Sequence, residues 1–174
     1  LELISEKYAR VLIKKHGLNF IDKVVEEGFK IASEDPELYD ENEASPPSMA
    51  VQMLYSYACT VPNEKVYPIF MKYLQKFGVS KDQHERAAAT TILGYIADPD
   101  SCLDLVRDDI NSLTNFLVDR MQDESYVVRE AAGETVGRFS EHVVGDFLDK
   151  HKQVVPCLLK VIKDLYVSKH DMTI

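Results

Sequence analysis

The strongest constraint on this chain is that one pattern of side chains keeps returning along it. Arg86-Ala87-Ala88-Ala89 followed by Gly94 superposes on Arg129-Glu130-Ala131-Ala132 followed by Gly137 at an offset of 43. The same offset carries Ile92 onto Thr135, Leu93 onto Val136, Phe70 onto Leu113 and Leu74 onto Leu117. One step earlier, at an offset of 38, Ala50 falls on Ala88, Leu54 on Ile92 and Tyr57 on Tyr95; one step later, at 45, Leu113 falls on Leu158 and Leu117 on Ile162. A unit of roughly forty residues holds one helix pair, which cannot bury its apolar face alone and must stack on its neighbours.

Within each unit, apolar residues recur at steps of three and four, and glycine is scarce at 7 of 174 positions, so the chain reads as all-α. Ile4, Tyr8, Val11 and Leu12 mark a first helix closed at His16-Gly17, and Ile21, Val24, Val25, Gly28 and Ala32 a second. Pro46-Pro47 opens a helix through Met49, Met53, Leu54, Tyr57 and Ala58 that stops before Pro62. Val66, Ile69, Phe70, Tyr73, Leu74 and Phe77 share a face of the next, which ends at Gly78. Ser80 with Gln83 reads as a capping box for a helix through Ala88, Ala89, Ile92, Leu93 and Ile96. Ser101 with Asp104 opens one through Val106, Ile110, Leu113, Leu117 and Met121, and Asp123 or Ser125 caps one through Val128, Ala131, Ala132, Thr135, Val136 and Phe139. Val155, Leu158, Leu159 and Ile162 mark a last helix.

Small residues at 88, 89, 131 and 132 let helices approach closely where units stack. Asp123 followed by Val128-Arg129 resembles the HEAT signature, in which an acid and an arginine form a ladder between neighbouring repeats. Arg86 is kept in the preceding unit, but Ser80 stands in place of its acid and Ser48 in place of the arginine one unit earlier, so the ladder is expected at one repeat only. The runs Pro47-Ser48-Met49-Ala50-Val51-Gln52-Met53-Leu54, Val61-Pro62-Asn63-Glu64-Lys65-Val66 and Gly137-Arg138-Phe139-Ser140-Glu141 resemble the importin-β (karyopherin-β) family, particularly its importin-4 branch. The expected fold is an all-α solenoid of about four HEAT-type hairpins. Its pairs are expected over 18–61 (with an insertion at 33–47), 63–97, 101–143 and 150–174, with 1–16 as the last helix of a preceding repeat. Leu1 lies inside an apolar-periodic run and Ile174 follows a helical pattern without a closing signal, so both ends are expected to be cut from something longer.

Two acidic features stand out against the net charge of −9. The insertion places Glu34, Asp35, Glu37, Asp40, Glu41 and Glu43 within ten residues, a density expected to keep it from packing as an element. On the helix after Ser125, Glu130, Glu134 and Glu141 recur at steps of four and seven, a stripe away from the Val128/Ala132/Phe139 face. Glu134 also stands four residues before Arg138, the spacing of a surface ion pair. The family resemblance implies that second helices line the concave side. It further implies basic cargo such as nuclear localisation signals, histones or ribosomal proteins, control by Ran-GTP, Phe-Gly nucleoporins held between outer helices by a residue such as Tyr67 or Phe116, and shuttling between cytoplasm and nucleus. The alternative from another class is a HEAT scaffold or adaptor that assembles a multiprotein complex.

An enzyme is not expected. The chain lacks GxxxxGK[ST], GxGxxG, GxSxG and HExxH, and Ser140 and His142, two apart on a helix, point in different directions. Asp98, Asp100 and Asp104 lack the glycine and final glutamate of a calcium loop, so no metal and no cofactor are expected. Cys59, Cys102 and Cys157, 43 and 55 residues apart, read as small apolar residues. An acidic chain disfavours direct nucleic-acid binding, which needs clustered Lys and Arg. No apolar run is long enough for membrane insertion.

Overall fold

A computed structural model describes residues 11, 13–15, 17–39, 45–142 and 151–171. Among them the elements are helices joined by short turns: α1 (Leu18–Ala32), a 3-10 turn (Pro36–Leu38), α2 (Pro46–Thr60), α3 (Asn63–Gly78), α4 (Gln83–Ile96), α5 (Leu103–Asp108), α6 (Ile110–Arg120), α7 (Tyr126–His142) and α8 (His151–Asp171). Most of the helix expected before Gly17 lies outside the described residues; Gly17, at φ 72, closes the turn by donating its N–H to the Ile13 carbonyl.

Each helix buries the stripe its spacing sets. In α1, Ile21, Val25, Gly28 and Phe29 face inward, and the helix stops where Ser33 turns its hydroxyl onto the Phe29 carbonyl at 2.7 Å. In α2, Ser45 caps the amide of Ser48 and the two prolines occupy the first turn, where a missing N–H leaves no bond unmade. The helices pair as α1 with α2, α3 with α4, and α6 with α7. First helices α1 and α3 pack together, as do α6 and α8, while second helices α2, α4 and α7 stack in one row. The core runs continuously between these layers. Phe29 meets Phe70, Tyr73 and Phe77 at centroid distances of 5.4 to 6.2 Å, and Ile92, Leu93, Ile96, Leu117, Val136 and Phe139 carry it onward. Each such large side chain contributes about 1.5–3 kcal/mol by leaving water. Close approach is enforced at Gly28, where a Cβ would come within 2.7 Å of Leu54 Cδ2.

Five local expectations are corrected. Asp82, not Ser80 with Gln83, caps α4: its carboxylate accepts from the His84 amide at 2.8 Å, and the Ser80 hydroxyl serves the Asp82 amide instead. The helix expected through Val106 to Met121 is two. It bends at Asp109, whose carboxylate accepts from the Tyr67 hydroxyl of α3 at 2.8 Å, and Ser101 and Asp104 cap neither piece. In α8, Val154 and Val161 are buried among the described side chains and match Ile110 and Leu117 at an offset of 44; Val155, Leu159 and Ile162 are exposed. Met49 and Met53 likewise lie at the surface. Of the cysteines only Cys102 is fully buried, and burial pushes its thiol up to about 11; Cys59 and Cys157 are partly exposed.

Candidate partner-binding groove

Stacked second helices with alanines at their contacts leave a trough between them. Ala87 and Ala88 of α4 and Ala131 of α7 form its floor, Val51 of α2 and Val127 of α7 add apolar walls, and the volume is 290 Å³. Carboxylates rim it: Glu130 and Glu134 from α7, and Glu34 from the segment after α1.

The acidic insertion is therefore not wholly unpacked. Ser33 to Tyr39 fold into a short turn in which Asp35 Oδ1 accepts from the Glu37 amide at 3.0 Å and the Tyr39 hydroxyl donates to Glu34. That bond to a carboxylate holds the Tyr39 phenol above its ordinary range. Asp35 Oδ2 stands 4.0 Å from Nε2 of His84, so the turn reaches across to the neighbouring repeat. Pro36 joins Glu34 in the groove wall, whereas Glu37 is exposed and does not line it. Asp40, Glu41 and Glu43 lie outside the described residues.

The α7 stripe divides. Glu130 and Glu134 line the groove; Glu141, in the last turn, stands beside His142 with 3.9 Å between their polar atoms and does not line it. The surface pair between Glu134 and Arg138 does not form: the Arg138 guanidinium sits 3.9 Å from the Tyr95 ring centroid instead. Among the described residues neither Glu130 nor Glu134 has an ion-pair partner within 4.0 Å, so the two carboxylates present unneutralised charge over an apolar floor. His84, Ser48 and Thr91 are further lining residues that no sequence motif marks. His84 is polar and sits in the first turn of α4, and only the stacking shows that this turn faces the trough.

Beside the groove lies the inter-repeat rung. Arg86 donates from Nη2 and Nε to the two Asp123 oxygens at 2.8 and 2.9 Å, with both side chains buried at 8% and 7% exposure. Burial pushes the Asp123 carboxyl up, but the Arg86 hydrogen bonds, the Ser125 amide and the charges of Arg86 and Arg120 prevail and hold it below its ordinary value of 3.8. Arg86 Nη1 bonds the carbonyls of Ser80 and Lys81, and one repeat later Arg129 Nη1 bonds those of Asp123 and Glu124, the same geometry reproduced.

Of the two aromatics considered for the outer layer, Tyr67 is buried with its hydroxyl on Asp109. Phe116 is half-buried and borders a 140 Å³ pocket between α3 and α6, lined also by Met71, Leu74, Leu93 and Leu113. Among the described residues no three His, Cys, Asp or Glu side chains converge to hold a metal, and no helix is long and apolar enough to cross a membrane.

The stacked pairs define the class as an all-α HEAT-repeat solenoid, and the HEAT repeat family model matches residues 113–143. In sequence the chain is similar to importin-4 of Mus musculus and of Homo sapiens, 29% identical to each over 122 residues, which is 70% of this chain and 11% of those proteins. In fold it is similar to the karyopherin Kap121p bound to RanGTP (TM-score 0.77, 18% identity, covering 91% of this chain and 17% of that one). Importin beta follows with a TM-score of 0.67 and 22% identity, covering 79% of this chain and 15% of that one. Kap121p bound to Pho4p gives a TM-score of 0.74 at 19% identity, covering 87% and 16%. The chain spans 11% of the length of the curated relatives it matches.

Proposed function

We propose that this chain is a protein-binding segment of a nuclear import receptor, and that its second-helix groove takes a basic segment of cargo. The observation that carries this reading is the trio Glu34, Glu130 and Glu134 around an alanine floor, with no cation within ion-pair distance of the last two among the described residues. A lysine or arginine side chain suits such a trough, since its methylene stem covers apolar surface while its tip reaches the rim. Kap121p, similar in fold, has been solved with RanGTP and with Pho4p. The present reading extends that pattern to this chain, with Ran-GTP control and transit between cytoplasm and nucleus. The pocket beside Phe116 has room for a phenylalanine ring of a Phe-Gly nucleoporin.

The test is fluorescence anisotropy of an end-capped lysine-rich peptide against the wild-type chain and the double variant Glu130→Gln/Glu134→Gln. Affinity is expected to fall about three- to tenfold, from two exposed charge pairs of roughly 0.3–0.7 kcal/mol each. The fall should shrink as salt is added. Unchanged affinity in the double variant would remove the groove from the reading.

A further inference from the structure

One turn beyond Glu134 on α7, Arg138 is held in place by three consecutive second helices. Its guanidinium lies over the Tyr95 ring of α4 at 3.9 Å. Tyr95 in turn packs edge-on against Tyr55 of α2 at a centroid distance of 6.0 Å, and Gln52 of α2 donates to its hydroxyl at 3.4 Å. The Arg138 stem rests against α4 where Gly94 leaves room: a Cβ there would come 3.1 Å from Arg138 Cδ. The surrounding carboxylates do not engage it. Asp98 accepts from Tyr55 at 3.2 Å and stands 3.9 Å from His142, Glu141 is next to His142, and Glu134 faces the groove. Among the described residues Arg138 thus has neither a carboxylate within 4.0 Å nor a hydrogen-bond acceptor, and its side chain is exposed. A guanidinium held over an aromatic face by its carbon keeps N–H donors free for a planar acceptor, and a carboxylate can take two of them at once.

We propose that Arg138 binds a carboxylate of the same partner whose cation enters the acidic groove, so that the surface selects segments carrying both charges at a set spacing. This inference rests on the groove reading. Glu134 and Glu130 precede Arg138 by one and about two helical turns, roughly 6 and 12 Å along the axis. An extended chain covers about 3.3 Å per residue, which puts the acid two to four residues from the lysine or arginine.

The test uses five end-capped peptides measured by anisotropy: a lysine-rich parent, two copies with Glu three residues before or after the central lysine, and the two matching Gln copies. The wild-type chain is expected to bind one Glu peptide about fivefold more tightly than its Gln counterpart. Arg138→Gln should abolish that preference while binding the parent at least as well, and Arg138→Lys, which keeps the charge without the planar fork, should retain only part of it. Circular dichroism melts confirm that each variant is folded. Equal binding of Glu and Gln peptides by the wild-type chain, or a preference that survives Arg138→Gln, overturns this inference alone. Failure of every peptide to bind the wild-type chain overturns the groove reading and this inference with it.

Discussion

The two junctions in the second-helix row are made of different chemistry. Between α4 and α7 the tie is a buried ion pair, Arg86 with Asp123, reinforced by Thr135 donating to the Thr90 carbonyl at 2.8 Å and Ser125 donating to Gln83 at 2.8 Å. Between α2 and α4 the ties are aromatic and hydroxyl-mediated, with no ion pair among the described residues: Tyr55 against Tyr95, Gln52 on the Tyr95 hydroxyl, and Tyr55 on Asp98. At the places equivalent to Arg86 and Asp123, the earlier junction has Ser48 and Ser80. A rung needs both halves, because a lone charge at a site this dry has no partner and no water. The earlier junction lacks both halves, and tyrosines hold it together instead.

The largest expected effect comes from breaking the rung on one side only. Arg86→Ala strands the Asp123 carboxylate and should cost about 3–5 kcal/mol in denaturant unfolding monitored by circular dichroism. The rung also sets a pH dependence. Asp123 is depressed when folded, so its contribution is complete above its unfolded value of 3.8 and is lost as pH falls through the lower folded value. Stability in the wild-type chain should therefore fall more steeply below pH 4 than in Asp123→Asn.

The next effect contrasts two glycines one repeat apart. A Cβ at Gly94 would meet Thr135 Oγ1 at 3.0 Å and Arg138 Cδ at 3.1 Å, whereas one at Gly137 meets nothing within 4 Å. Gly94→Ala should destabilise by about 1–3 kcal/mol through overpacking. Gly137→Ala should stabilise by about 0.5–1 kcal/mol through helix propensity. Equal shifts in the two melts would mean that the α4–α7 contact is looser than described. The smallest effect belongs to the tyrosine junction: Tyr55→Phe removes one hydrogen bond to a partly exposed Asp98 and should cost about 0.5–1 kcal/mol.

How much of this could be read from the sequence depended on whether a feature was local. Helix faces follow from three- and four-residue spacing, so Phe70 matches Leu113 and Ala88 matches Ala131 in the sequence alone, and all four are buried. The bend at Asp109 leaves no trace in the sequence, because the apolar steps 106, 110, 113 and 117 pass through it unbroken and the Tyr67 hydroxyl that Asp109 accepts comes from α3. The start of α4 is ambiguous in the sequence because Ser80 and Asp82 both suit a cap, and only the chain's path decides which one faces the open amides. The acidic residues were each visible, but not their meeting. Glu34 and Glu134 lie far apart in the chain, and they share a groove only because α2, α4 and α7 stack. Arg138 read as a partner for Glu134 at helical spacing, and the ring of Tyr95, 43 positions before it, won instead.

The ties between repeats share a feature with consequences for how the chain folds. They join residues one unit apart, from 37 positions for Arg86 and Asp123 to 50 for Lys72 and Asp22. Each therefore closes a loop of nearly constant length, and adding a unit lengthens no existing search. Folding can then start at any well-packed hairpin and spread to either side, at a speed set by the unit rather than by the length of the array.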